Sequence, residues 1–304
     1  MKLLLSIIIC TMAFAQNINY NDKDGESFAD VSVDELTFTC RVSGMENDGE
    51  AVILLHGFPE TSRMYYDLIP VVVSEGYKVV APDQRGYSPG ARPSKISDNS
   101  IDKLSQDVLN IADAFQFEKF HLIGHDWGSA VGWVTVAFHS ERVISWTALS
   151  VPHLDAFFKA MNNNPEQQRK SQYIKFFKKP ILPEFYFSIF GYKYLRDIWR
   201  KSSKEEIEKY LEVFKQKGAL KSSLNWYRAN MKNDDKSIGD IAAPTLIIYG
   251  LKDMAIGEIS VDESEKYLKG EYKIEKLETG HWLIQEAFEA VSKSIINHLT
   301  NYSQ

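Results

Sequence analysis

Short apolar runs bounded by polar or Gly-rich turns recur along the chain, separated by longer stretches in which apolar residues return every three or four positions. Leu36 to Val42 alternates and Ala51 to Leu55 is wholly apolar, with the polar turn Asn47-Asp48-Gly49 between them, so both read as strands. The pattern then predicts a helix over Arg63 to Ser74, a strand over Tyr77 to Ala81 and a helix over Ile101 to Phe115. A strand at Phe120 to Ile123, a helix at Trp127 to Phe138 and a strand at Val143 to Leu149 follow. Such alternation predicts an α/β core, a mostly parallel sheet with helices on both faces. It breaks after Val151-Pro152. From Leu154 to Lys236 the chain is aromatic-rich and helical, and Ser203-Lys204-Glu205-Glu206 matches a capping box followed by Ile207, Tyr210, Leu211 and Phe214 on one helical face. Thr245 to Tyr249 and Tyr272 to Leu277 return to strands, and Leu283 to Leu299 closes as a helix. The expected organisation is a core in two parts, 16–153 and 237–304, interrupted by an inserted helical lid at 154–236.

The first residues have a different character. Met1-Lys2, the apolar run Leu3 to Phe14 and the small-residue exit at Ala15 match a secretory signal peptide over 1–15, which implies a secreted or periplasmic protein. The run is too short to span a bilayer well, so no membrane span is expected, and Ile9 before Cys10 fits poorly with lipoprotein processing. Once Cys10 is removed, Cys40 is alone, which excludes an intrachain disulfide; its alternating surroundings predict a buried, inert thiol. The 304 residues suffice for a large core, and a net charge of -6 with interspersed signs gives no basic footprint for nucleic acid. The chain has no repeat or low-complexity tract, and a homo-oligomer is compatible with its composition.

The chemistry centres on Gly124-His125-Asp126-Trp127-Gly128-Ser129, where a strand turns sharply into a helix. The residues around such a turn must be small because its backbone is strained, and the residue at its tip is thrust out of the sheet. A serine there needs a base to become nucleophilic. A carboxylate is already an anion at neutral pH and attacks an sp3 carbon directly, so Asp126 is expected to form an alkyl ester. A Gly-rich turn with a helix-capping aspartate would use the same residue types.

His56-Gly57-Phe58-Pro59 leaves the apolar strand Val52 to Leu55 at the sheet edge where the elbow emerges, which makes the Phe58 and Trp127 N–H groups candidate oxyanion donors. Gly280-His281-Trp282 follows the last strand, and His281 is the candidate base. Of the other six histidines, His56 and His125 lie inside motifs next to the reactive groups and His121, His139 and His298 read as structural. His153, where the lid begins, is a candidate pocket residue. Asp253, just past Thr245 to Tyr249, is the candidate acid that orients His281, with Asp155 as the fallback. The glycines lack a dinucleotide fingerprint and no paired His or Cys has ligand spacing, so neither cofactor nor metal is expected.

Together with Asp83-Gln84-Arg85-Gly86-Tyr87-Ser88, these motifs resemble those of the α/β-hydrolase fold epoxide hydrolases over nearly the whole mature chain. The resemblance extends to Tyr173-Ile174-Lys175-Phe176-Phe177 and Leu224-Asn225-Trp226-Tyr227-Arg228, which are similar to the two lid segments that each supply a ring-opening tyrosine. It implies that Tyr173 and Tyr227 bind the epoxide oxygen and protonate it, although Tyr186, Tyr192 and Tyr194 lie near Tyr173. With Trp127 and His153 these tyrosines would line the substrate site. The implied partners are water and a small hydrophobic epoxide, and the product a vicinal diol. Haloalkane or haloacid dehalogenases also share an aspartate nucleophile and a His-Asp-Trp motif. One of their branches has Asn where this chain has Phe58, and a halide gains nothing from paired phenols. A non-catalytic ligand-binding member of the fold is the remaining alternative.

Overall fold

An apolar run with no polar face must be covered on both sides, and β4 (Ala51–Leu55) and β6 (Phe120–His125) are buried at every position. In the computed structural model, which describes residues 18–231 and 237–303, they lie at the middle of a nine-stranded sheet. The other strands are β1 (Ile18–Lys23), β2 (Glu26–Val33), β3 (Leu36–Ser43), β5 (Lys78–Pro82), β7 (Val143–Leu149), β8 (Thr245–Gly250) and β9 (Tyr272–Leu277). Their order is β1-β2-β3-β5-β4-β6-β7-β8-β9. All pairs from β5 to β9 are parallel, and the three pairs before them are antiparallel. Because β5 and β6 flank β4 on opposite sides, the strand order reverses at β4, where an α/β sheet opens a crevice beyond its carboxyl ends.

Helices α1 (Leu68–Ser74), α2 (Ile101–Ala114) and α3 (Trp127–Phe138) belong to the first part of the core, and α10 (Glu258–Glu263), α11 (Leu283–Glu286) and α12 (Phe288–Tyr302) to the second. Between β7 and β8 the named elements among the described residues are helices: α4 (Leu154–Asn163), α5 (Pro165–Lys170), α6 (Gln172–Phe177), α7 (Leu182–Ile198), α8 (Lys204–Phe214) and α9 (Ala219–Asn230). The N-cap half of the capping box forms at the start of α8, with Ser203 Oγ accepting the Glu206 N–H at 3.2 Å, while the Glu206 carboxylate turns to Arg63, and Tyr210, Leu211 and Phe214 turn inward together. The expected signal peptide and the expected end of the lid at 236 lie outside the described residues.

The sheet starts earlier than the sequence pattern predicts. β1 is a polar edge strand with almost no buried face, which removes the hydrophobic signal. What marks it is Asp24-Gly25, both with positive φ, a two-residue hairpin turn that pairs Lys23 with Glu26. The last predicted helix is two: Ala287 leaves helical geometry between α11 and α12. The predicted helix at Arg63 to Ser74 is a short 3-10 turn at Ser62–Tyr65 followed by α1.

Two of the polar ties that fasten the insertion to the core lie at its start and over α2. The Asp155 carboxylate accepts from Ser237 Oγ at 2.6 Å and from the N–H groups of Ile238 and Gly239 at 3.1 and 3.3 Å, which joins the start of the insertion to the returning chain. Arg85 makes the other. Its guanidinium grips Asp107 of α2 through two bonds of 2.7 and 2.6 Å and reaches the Asp98 carbonyl, while its own carbonyl accepts Trp226 Nε1 of α9 at 2.8 Å. Burial pushes the Asp107 carboxyl up to about 6 against the pull of Arg85. Removing one partner of a buried ion pair strands the other. Arg85→Met should therefore lower unfolding free energy by about 3–5 kcal/mol in urea titrations, and adding Asp107→Leu should restore most of it.

Candidate active site

The elbow is built by close approach of backbone. Asp126 has φ 53° and ψ -119°, a conformation costly for a side-chain-bearing residue, between β6 and α3. The turn packs so tightly on the exit of β4 that a Cβ on Gly128 would lie 2.0 Å from the Leu55 carbonyl oxygen, and one on Gly57 would lie 2.4 Å from Asp126 Cβ. Only glycine fits either position. This contact brings the Phe58 N–H to 2.8 Å from Asp126 Oδ1. Trp127 is the first residue of α3, so its N–H has no carbonyl within the helix to bind.

The other oxygen of Asp126, Oδ2, faces His281 Nε2 at 3.6 Å. His281 Nδ1 lies 2.8 Å from Asp253 Oδ2, and Asp253 Oδ1 accepts the N–H groups of Ala255 and Ile256 at 2.7 and 2.9 Å. All three side chains are buried. Burial disfavours charge on Asp253, but His281, Ser150 and the Ile256 N–H outweigh it and hold its carboxyl down to about 2. Burial also opposes the charge of His281; the carboxylates of Asp253 and Asp126 on its two sides win and hold it protonated well above the usual imidazole range. Asp253 therefore occupies the position beside His281, and the fallback Asp155 serves as the tie between the ends of the insertion.

Tyr173 on α6 and Tyr227 on α9 lean over Asp126 from the insertion, with ring centroids 6.2 Å apart. Burial, reinforced by the Asp126 charge for Tyr173 and by Tyr173 and Asp126 for Tyr227, raises both phenol pKa values, so the hydroxyls stay protonated donors. Tyr227 is fixed edge-on by Trp127, Phe58 and Phe177 at centroid distances of 5.0, 5.5 and 5.0 Å. Tyr186 stacks on Tyr194 at 3.8 Å, and neither they nor Tyr192 line the cavity that Tyr173 and Tyr227 share with Asp126 and Trp127. That cavity has a volume of about 570 Å³ and a mainly apolar wall that includes Leu154, Phe157, Phe158, Val134 and Met231.

His153 is a correction. It does not line the cavity: its ring stacks on Tyr267 at 4.4 Å and 3°, Nδ1 accepts the Asp155 N–H and Nε2 bonds the Gly239 carbonyl. Burial lowers its pKa to about 4, leaving a neutral imidazole that caps α4. His56 is likewise committed, with Nε2 accepting the Gln84 N–H at 3.0 Å.

Two participants carry no recognisable motif. Ser150, at φ 74° just after β7, donates from Oγ to Asp253 Oδ2 at 2.6 Å and sits 2.9 Å from His281 Nδ1. Glu60, 1% exposed, lies 3.3 Å from His125 Nδ1, while His125 Nε2 contacts the His281 carbonyl at 2.9 Å. A serine after a strand and a glutamate in a Pro-Glu turn look ordinary in sequence. Only the folded sheet aligns them behind His281.

A family model described as the α/β-hydrolase fold matches residues 50–288. Human epoxide hydrolase 4 is 33% identical over 84% of this chain and 73% of its own length. The AB hydrolase superfamily protein YfhM of Bacillus subtilis is 32% identical over 91% of this chain and 99% of its own. Among solved structures, epoxide hydrolase A from Mycobacterium thermoresistibile superimposes with a TM-score of 0.73 at 25% identity, covering 95% of this chain and 99% of that one. With a carboxylate on the elbow, an imidazole and a second carboxylate beyond it, and two phenols above, the chain belongs to the α/β-hydrolase family and groups there with the epoxide hydrolases.

Proposed function

We propose that this enzyme opens a hydrophobic epoxide to a vicinal diol through a covalent ester on Asp126. The observation that carries the reading is the pair of protonated phenols, Tyr173 and Tyr227, facing a carboxylate whose Oδ1 is already held by the Phe58 N–H. The held oxygen is suited to become the ester carbonyl, which leaves Oδ2 as the attacking atom. Oδ2 bonds to a ring carbon, the carbon–oxygen bond of the ring breaks, and the departing oxygen takes a proton from a phenol.

Esterification removes the negative charge of Asp126, one of the two that hold His281 protonated. The imidazolium then loses its proton more readily, and that proton restores the phenol. Neutral His281 next takes a proton from water, which attacks Cγ of the ester, and the Phe58 and Trp127 N–H groups receive the oxyanion on Oδ1. Collapse breaks the Cγ–Oδ2 bond and releases the diol, whose alkoxide takes a proton from His281, and the proton left on the Asp126 carboxyl passes to His281 to restore the starting state. Asp253, with both oxygens committed, orients the ring throughout.

The two half-reactions should separate. His281→Gln should accumulate an adduct weighing one whole epoxide on the peptide carrying Asp126, visible by intact-protein mass spectrometry, and Asp126→Asn should form none. A wild type that turns over epoxides while His281→Gln never shows an adduct would instead require direct attack by water. A dehalogenase would acquire an alkyl group from a haloalkane with loss of halide.

Tyr173→Phe and Tyr227→Phe should each slow ester formation in single-turnover experiments, and the double change should nearly abolish it, since positioned proton transfer contributes ~10² to 10⁴ in rate. Unchanged alkylation in the double variant would remove the phenols from the mechanism and favour the dehalogenase reading.

For location, the Met1 to Ala15 pattern supports export. Protein recovered from its native host should begin near Gln16 by mass spectrometry; an intact cytosolic Met1 form would contradict export.

A further inference from the structure

Helix α7 breaks the ordinary rule for a surface helix, which gives one face to the core and the other to water. From Ile181 to Phe190 the sequence is Ile-Leu-Pro-Glu-Phe-Tyr-Phe-Ser-Ile-Phe, with Glu184 and Ser188 as its only polar residues. The inward side is accounted for: Pro183 and Phe187 are buried, and Phe187 packs against Phe58 and Phe177 over the site. The outward side is also apolar. Ile181 is 76% exposed, Leu182 54%, Phe185 62% and Phe190 75%. Ile181, Leu182 and Phe185 share a face by helical spacing, and the Phe185 N–H bonds the Ile181 carbonyl at 2.9 Å. Phe190 follows where the helix is interrupted, with φ 51°. The Phe176, Tyr186 and Tyr194 rings pack on one another and hold α6 and both halves of α7 together, so this is one patch of surface. A contiguous patch of large apolar side chains marks a face that something covers.

Charge identifies the cover. The whole chain carries a net charge of -6, yet residues 175–201 hold seven Lys or Arg against two carboxylates, Glu184 and Asp197. Among the described residues Lys175, Lys178 and Lys179, which lead directly into the patch, have no carboxylate within ion-pairing distance, and all three are exposed. Bulky apolar residues flanked by unpaired lysines on an otherwise acidic protein match a surface that is anionic above and hydrocarbon below. A second copy of this chain offers no such match, since its apolar patch carries the same positive rim. No helix among the described residues is long and apolar enough to cross a membrane.

We infer that the outward face of α7, with Ile181, Leu182, Phe185 and Phe190 flanked by Lys175, Lys178 and Lys179, seats the protein on a bilayer bearing anionic headgroups. The face lies on the insertion that carries Tyr173 and Tyr227, so a seated enzyme would have its apolar cavity next to the phase in which hydrophobic molecules collect. The inference stands apart from the epoxide reading because it is tested by binding alone.

The full-length mature protein should co-sediment with vesicles of mixed phosphatidylcholine and phosphatidylglycerol, and much less with phosphatidylcholine alone. High salt should weaken the association. Removing a basic charge at a bilayer surface weakens partitioning about five-fold, so Lys178→Glu with Lys179→Glu should weaken it by at least about twenty-five-fold. Ile181→Ser, Phe185→Ser and Phe190→Ser combined should abolish it, with circular dichroism and turnover of a water-soluble substrate unchanged. Protein that stays in the supernatant with anionic vesicles would overturn the proposal, as would a triple variant that sediments like the wild type. A wild type that elutes as a dimer in gel filtration and becomes monomeric in the triple variant would assign the patch to a second copy instead.

Discussion

The site depends on one close approach, the exit of β4 lying directly against the turn between β6 and α3. Gly57 and Gly128 permit the contact because a methyl group at either place would overlap backbone or the Asp126 side chain itself. The contact has two consequences at once. It confines Asp126 to a positive φ that a free chain would avoid, and it points the Phe58 N–H at the carboxylate. Strain at this residue is offset by the surrounding sheet, since β4 and β6 pair along their whole length and are buried throughout. The outward-thrust Asp126 carboxylate and the N–H that binds it are therefore products of the same packing event.

From that fixed point the remaining groups follow in sheet order. β4, β6, β7, β8 and β9 are neighbours, and their carboxyl ends deliver Phe58, Asp126, Ser150, Asp253 and, after β9, His281. Residues separated by more than two hundred positions meet because parallel strands all end on one side. The charge arrangement is equally economical. An imidazole between two carboxylates is held protonated, and neutralising either carboxylate changes its basicity without any movement of the chain.

The insertion adds what the sheet cannot. Its inner surface brings two phenols and an apolar wall above Asp126, and its position is transmitted through Arg85, whose side chain anchors on α2 while its carbonyl holds Trp226, the residue before Tyr227. Asp83-Gln84-Arg85-Gly86 thus acts as a strut: Asp83 accepts the Ser62 N–H, Gln84 fixes His56, and Arg85 sets α9. None of these residues touches the cavity.

What the sequence alone determined are the features written in local pattern. Buried parallel strands are apolar runs, so β4 to β8 were legible nearly to the residue, as were β9 from its alternation and the N-cap of α8. The elbow was legible because its small residues and its aspartate lie within six positions. Features defined by pairing across the chain were not. β1 is polar because an edge strand need not be apolar, Ser150 and Glu60 acquire meaning only where β7 and the β4 exit meet His281 and His125, and His153 reads like a pocket residue until the Tyr267 ring and the Gly239 carbonyl claim it. The sequence already favoured Asp253 over Asp155 and Tyr173 over its aromatic neighbours, but each rival has the right functional group, and the distances that separate them from His281 and from the cavity exist only in the tertiary structure.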